Sequence, residues 1–284
     1  MNVIVAESAG FCFGVQRAVS ICERAAEECG NCVTLGPIIH NEHVIEFLEE
    51  KGIRAVSDAA EIVPGTTVIL RAHGTEIKDL ELLERLGVNI IDATCPDVRR
   101  IHSIVNEESL KGRLIVIVGD RGHPEVVAIA GRCSDYMVFE RTEELVEWIA
   151  EGDNTQKPVS FVFQTTNARS IYHSFVEIIK KECTNYNIFD TICDATRKRQ
   201  QEAAKLSGDS DVMIVVGDNN SANSHRLADI CREHCRRVLF LAGAEELDFA
   251  DICKAGSIGI TAGASTPAWI IKEVTQSLNK FKLT

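Results

Sequence analysis

The sequence predicts an α/β protein built of three similar lobes, each a small, mainly parallel sheet with helices, packed around a shared centre. Three observations predict it. A cysteine recurs in fixed register, with Cys12 to Gly36, Cys95 to Gly119 and Cys193 to Gly217 each 24 residues apart, and His40, His123 and Ser221 each four further on. Whole segments return at an offset of 98, Asn89-Ile-Ile-Asp92-Ala-Thr-Cys95 as Asn187-Ile-Phe-Asp190-Thr-Ile-Cys193 and Leu114-Ile-Val-Ile-Val-Gly-Asp120 as Val212-Met-Ile-Val-Val-Gly-Asp218. Short Val- and Ile-rich runs bounded by Gly, Asp or Pro alternate with helical patterns, as parallel strands joined by crossover helices do. Together these describe three copies of one unit.

The elements follow in order. The first unit places strands at 33–35, 53–56, 67–70 and 89–91, and the second at 114–118, 136–139, 159–163 and 187–189. The third offers 212–216, 237–241 and 257–260, then a helix, and the chain ends without a fourth strand. That strand is expected from the other terminus, because 2–6 leads to Cys12 as 89–91 leads to Cys95. Helices are expected between strands, among them 15–29, 124–131 and 265–280. The lobes are therefore bounded at 13–95, 96–192 and 193–284, the last completed by 1–12. No Pro/Gly/Ser-rich linker separates them, which favours lobes around one centre over beads on a string.

Thirty basic against 42 acidic side chains give a net charge of -12, which argues against nucleic acid or an anionic membrane as the main partner. No signal-like N-terminus is present and no apolar run approaches the roughly 18 residues of a membrane helix. Eleven cysteines in a chain of 284 residues point to a reducing compartment, and the reading is cytoplasmic. Cys22, Cys29, Cys32, Cys133, Cys183, Cys231, Cys235 and Cys253 fall outside the register and read as small apolar groups.

The chemistry gathers at the carboxyl ends of strands, where open α/β sheets bind ligands. Cys12, Cys95 and Cys193 each precede a helix whose N-terminal field favours a thiolate. They are far apart in sequence and lack the paired spacing of a zinc site, so three thiolates suit an iron-sulfur cluster with one iron open to substrate. Packed thiols that echo a duplication, and thiol redox chemistry, stay open on spacing alone.

His40, His73 and His123 each sit in a strand-to-helix loop. Asn220-Ser221-Ala-Asn223 and Thr261-Ala-Gly-Ala-Ser265 stand at the matching loops of the third unit, and Gln164-Thr165-Thr166 at that of the second. Loops of this composition cradle phosphate oxygens. A lone loop histidine is more often a cap, but three share a register. Glu125 follows His123 and Pro124 and reads either as a helix-start acid or as a proton source. His43, His102, His173, His225 and His234 read as ordinary surface or packing residues, and Arg197-Lys-Arg199 as solvated charge. A metal-free phosphate-binding enzyme would leave the cysteines idle, and an iron-sulfur sensor would not need the phosphate loops.

These residues fall in motifs that resemble the 4-hydroxy-3-methylbut-2-enyl diphosphate reductase family: Gly10-Phe-Cys-Phe-Gly-Val15, Ile39-His-Asn41, Arg71-Ala-His-Gly74, Asp92-Ala-Thr-Cys-Pro96, Gly122-His-Pro-Glu-Val126, Gln164-Thr-Thr166, Cys193-Asp-Ala-Thr196 and Thr261-Ala-Gly-Ala-Ser265. The resemblance spans the chain. It implies a trefoil of three α/β lobes around a 4Fe-4S cluster held by Cys12, Cys95 and Cys193. It also implies that His40, His73, His123, Ser221, Asn223 and Ser265 bind the diphosphate of a small allylic substrate, with Thr165 and Glu125 beside the allylic hydroxyl. Glu125, Thr165 and His123 are then the catalytic candidates. The implied reaction is a reductive dehydroxylation to isopentenyl and dimethylallyl diphosphates, the last step of the non-mevalonate route, fed by an external one-electron donor such as ferredoxin or flavodoxin. Family members often carry Ser where this chain has Ala222. Thr165 rather than Thr166 is assigned by motif alignment.

Overall fold

The computed structural model describes residues 2–152 and 154–282. Strand β1 (Asn2–Val5) runs to the Cys12 loop and helix α1 (Phe13–Glu28). The rest of the first repeat is β2 (Cys32–Leu35), α2 (Glu42–Glu50), β3 (Arg54–Val56), β4 (Thr67–Leu70), α3 (Ile77–Leu86) and β5 (Asn89–Asp92). The second holds α4 (Pro96–Leu110), β6 (Leu114–Val118), α5 (Pro124–Ala130), β7 (Tyr136–Phe139), α6 (Thr142–Ala150), β8 (Val159–Phe163), α7 (Arg169–Glu182) and β9 (Tyr186–Ile188). The third holds α8 (Asp194–Gly208), β10 (Val212–Val216), α9 (Ala222–His234), β11 (Val238–Leu241), β12 (Ser257–Ala262) and α10 (Ala268–Lys282). The strands expected from the sequence are all present, with ends shifted by one or two residues.

Three parallel four-stranded sheets result, ordered β3-β2-β4-β5, β7-β6-β8-β9 and β11-β10-β12-β1. The order is the same in each. In the third sheet β1 takes the place that β5 and β9 hold in the others, with Asn2 to Val5 paired in parallel to Ser257 to Ile260. The N-terminal strand therefore completes the C-terminal sheet, as the spacing before Cys12 predicts.

Continuous apolar strands reflect burial on both faces. In β6, Val116 and Val118 pack with Phe161, Phe163 and Phe175, while Ile115 and Ile117 pack on the opposite face with Ile101, Val105 and Ile129. In β10, Val212, Ile214 and Val216 face α10, and Met213 and Val215 face the α8–α9 side. Each such side chain contributes about 1.5–3 kcal/mol on burial. The strand ends that carry polar loops are thus fixed by cores on either side.

The chain divides into two compact units, one of residues 1–16, 39–47 and 194–284, the other of 17–38 and 48–193. The first contains the β11-β10-β12-β1 sheet and the second the other two. Among the described residues, no helix is long and apolar enough to cross a membrane.

Two readings from sequence are corrected. Arg199 is not solvated charge, for it is only 3% exposed and is built into the fold. Its helix α8 is so polar that the face it buries must itself carry polar groups. Cys253 is exposed, whereas Cys22, Cys32, Cys183, Cys231 and Cys235 are buried as small apolar groups should be.

Candidate active site

In the unit of 17–38 and 48–193, the side chains that carry chemistry stand at loops that follow strands. Cys95 lies just past β5 and Cys193 just past β9. Each is fastened through its backbone amide to the loop of the neighbouring strand, Cys95 to the Ala72 carbonyl at 3.0 Å and Cys193 to the Thr165 carbonyl at 3.1 Å. The His73 loop has Gly74 at φ +86°, where an added Cβ would lie 2.6 Å from the His102 ring, so only glycine fits. The rings of His73 and His123 meet edge to face, 5.3 Å between centroids.

His123 caps α5, with Pro124 at the first helical position. Its Nδ1 accepts from the Glu125 amide at 3.1 Å. A nitrogen that accepts carries no proton, so a neutral ring carries its hydrogen on Nε2. Glu125 is 2% exposed, and both its oxygens are engaged by one residue. Oε1 accepts from the Thr165 amide and Oε2 from the Thr165 hydroxyl, each at 2.7 Å. These bonds come from the loop after β8, not from Glu125's own helix, which separates it from an ordinary helix-start acid. The loop is held in turn by Gln164, whose side-chain oxygen accepts from the Asp120 amide at 3.0 Å, and by Asn167, which donates to the Val118 carbonyl at 2.7 Å.

The unit of 1–16, 39–47 and 194–284 repeats the device. The Cys12 amide donates to the Ala264 carbonyl at 3.2 Å, so this cysteine loop too is fastened to the loop of the neighbouring strand, β12. Gly10 has φ +100°, and a Cβ there would stand 3.1 Å from Ile271 Cδ1. Ser221 caps α9 and accepts from the Ser224 amide and hydroxyl at 3.3 and 3.0 Å. Ala222 opens that helix and brings no hydroxyl of its own. Asp218 accepts from the Glu42 amide at 2.9 Å and the Asn220 amide at 2.7 Å, tying the His40 segment to the Ser221 loop. Asn223 Nδ2 and Ser265 Oγ are buried and have no hydrogen-bond partner among the described residues. Buried polar atoms are seldom left so, and these two stand at strand-end loops.

All eleven cysteines are thiols. Burial pushes Cys22 up to about 12 and Cys133 up to about 11, which suits packed, inert groups. Cys12, Cys95 and Cys193 are half-buried, and each immediately precedes a helix of 15 or 16 residues. Soft sulfur at three repeated loops, each at a helix N-terminus, suits iron-sulfur ligation better than a hard cation.

The LytB protein family matches residues 3–279. The chain belongs to the LytB protein family. A relative from Caldanaerobacter subterraneus, a 4-hydroxy-3-methylbut-2-enyl diphosphate reductase, is 39% identical over 99% of this chain and 98% of its own length. A reductase of the same name from Nitratiruptor is 39% identical over the whole of both chains. Among solved structures, (E)-4-hydroxy-3-methyl-but-2-enyl diphosphate reductase, described as the terminal enzyme of the non-mevalonate pathway, aligns with a TM-score of 0.71 at 37% identity, covering 99% of this chain and all of its own. The reductase from Plasmodium falciparum aligns with a TM-score of 0.89 at 25% identity, covering 98% of this chain and 87% of its own. The three-sheet α/β fold is therefore that of LytB proteins.

Several residues of this LytB protein's site were not legible as such. Arg199, Arg17 and Glu202 hold loops near cysteines, and Asp218 joins two loops. A weak signal existed: Arg199 and Glu202 are spaced i, i+3, so they share one face of a helix that has little apolar surface.

Proposed function

We propose that the chain is a 4-hydroxy-3-methylbut-2-enyl diphosphate reductase, removing the allylic hydroxyl of its substrate at a 4Fe-4S cluster held by Cys12, Cys95 and Cys193. The observation that carries the reading is the buried Glu125–Thr165 pair, a carboxyl group hydrogen-bonded to a hydroxyl through which a proton can pass. The LytB relationship supplies the substrate class, an allylic diphosphate. When bound, the cluster supplies electrons one at a time and a Lewis-acidic iron.

The protein's own residues do the rest. Ser265 and Asn223 present polar atoms without a partner among the described residues; with His40, His73, His123 and Ser221 they bind the diphosphate. That handle orients the far end of the substrate, so binding energy from a non-reacting group serves the reacting one. Thr165 donates to the substrate hydroxyl while Glu125 replaces the proton on the threonine oxygen. The C–O bond breaks, the oxygen leaves as water, and the allylic fragment takes up two electrons and a second proton to give isopentenyl or dimethylallyl diphosphate. Proton delivery of this kind contributes roughly 10²- to 10⁴-fold.

The electrons come from an external one-electron donor such as ferredoxin or flavodoxin. A cytoplasmic setting fits eleven thiols kept reduced. The test is anaerobic turnover with a chemical reductant and 4-hydroxy-3-methylbut-2-enyl diphosphate. Formation of the two C5 diphosphates supports the reading; loaded protein that leaves the substrate unchanged overturns it.

A further inference from the structure

Two guanidinium groups stand on helices that begin right after a cysteine, and each grips the backbone just ahead of a different cysteine. The stronger case is Arg199, on the second turn of α8, the helix that begins after Cys193. Its Nε and Nη2 donate to the Ser8 carbonyl at 3.0 and 2.7 Å, and Nη2 also donates to the Gly10 carbonyl at 2.6 Å. Ser8 and Gly10 lie four and two residues before Cys12. One turn further along α8, Glu202 takes the opposite side of the same segment. Its carboxylate accepts from the Glu7 amide at 2.6 Å, the Ser8 amide at 2.8 Å and the Ser8 hydroxyl. Burial pushes the Glu202 carboxyl up, but these donors together hold it below its ordinary range, so it stays an anion. The loop is thus held by its carbonyls and its amides at once.

The second case has the same form. Arg17, on α1 directly after Cys12, donates from Nη1 to the Thr94 carbonyl at 3.2 Å and from Nη2 to the Asp92 carbonyl at 3.3 Å. Those residues lie one and three before Cys95. Arg199 is six residues after its cysteine and Arg17 five after its own. A fork of fixed N–H vectors can hold two carbonyls at set positions, which a lysine ammonium cannot.

We infer that Arg199 and Arg17 are positioning residues that preset the Cys12 and Cys95 loops to receive the cluster, each linking the helix after one ligand to the loop before another. The inference rests on the reading that these cysteines hold the cluster. A buried cation hydrogen-bonded to carbonyls locks loop geometry before any metal arrives, so the site loses little freedom on loading and releases iron slowly. The buried polar residues of α8 are then explained in part: Ala203 and Leu206 pack on the apolar core beside β10, while Arg199 and Glu202 grip a loop.

The test compares wild type, Arg199→Met and Arg199→Lys after anaerobic reconstitution, reading iron and sulfide per chain, far-UV circular dichroism, and the rate of visible bleaching under a ferrous chelator. Arg199→Met, at unchanged circular dichroism, is expected to bleach at least tenfold faster than wild type, with Arg199→Lys between. If Arg199→Met does not fold, Arg17→Met carries the same expectation from a half-buried position. Variants that fold, load and bleach at the wild-type rate overturn the inference alone. Wild-type protein that takes up no iron and sulfide overturns the cluster reading as well.

Discussion

The carboxylate of Glu125 and the hydroxyl of Thr165 share a hydrogen bond of 2.7 Å, and the amide of the same threonine holds the other carboxylate oxygen at the same distance. One residue therefore fixes the acid and extends its reach by one oxygen. Glu125→Gln preserves size and removes the ionisable proton, so turnover should fall at least about 100-fold while iron content and substrate binding stay at wild-type levels. Steady-state kinetics with iron analysis on the same sample checks this.

Thr165 separates two effects. Thr165→Val removes a donor from a buried carboxylate, at a cost to stability of about 1–3 kcal/mol, and also breaks the proton path. Thr165→Ser keeps the hydroxyl and should retain most of both. Urea midpoints and turnover for the two variants, measured side by side, distinguish the hydroxyl from the methyl as the group that matters.

Ser265 is 7% exposed and its hydroxyl has no hydrogen-bond partner among the described residues. Ser265→Ala therefore has no internal hydrogen bond to lose and should leave the thermal midpoint within a degree or two of wild type. Binding of the diphosphate should weaken by roughly tenfold, the worth of about one hydrogen bond to a charged group. A large drop in thermal midpoint with unchanged KM would show the hydroxyl to be structural.

Acid should weaken the fold in two stages. Burial, reinforced by the Arg132 charge, drives His102 from 6.5 down to about 3. Burial pushes Glu108 up, but bonds from Lys111, Ser160 and Asn187 outweigh it and bring the carboxyl from 4.5 down to about 2. Both groups are depressed in the folded state, so their contribution is complete above the unfolded value and lost as pH falls toward the folded one. His102 acts between about 6.5 and 3 and Glu108 between about 4.5 and 2. His102→Gln should flatten the decline of the urea midpoint between pH 6.5 and 4.5, and a slope equal to wild type would contradict that.

Much of this could be read from the chain because a repeat makes each copy predict the others. The place of β1 in the C-terminal sheet followed from Cys12 having a strand before it and the third repeat having none after β12. The strand-end loops of His73, His123, Thr165 and Ser265 were legible for the same reason. Arg199 was not, since a basic run on a polar helix reads as solvent-facing until the helix's partner is known. Glu202 and Glu108 were hidden likewise: whether a carboxylate is buried depends on backbone donors from distant segments, which no local pattern encodes.

The central claim is that one thiol from each repeat, and no other cysteine, holds the cluster. Anaerobic purification and reconstitution of wild type, Cys95→Ser and Cys231→Ser, followed by iron, sulfide and visible absorption, tests it most directly. Cys231 is fully buried, and burial pushes its thiol up, so it serves as the control. The account predicts about four iron and four sulfide per chain for wild type and Cys231→Ser, with a broad visible band, and loss of both in Cys95→Ser. A Cys95→Ser protein that keeps the band, or a Cys231→Ser protein that folds and lacks it, would contradict the account.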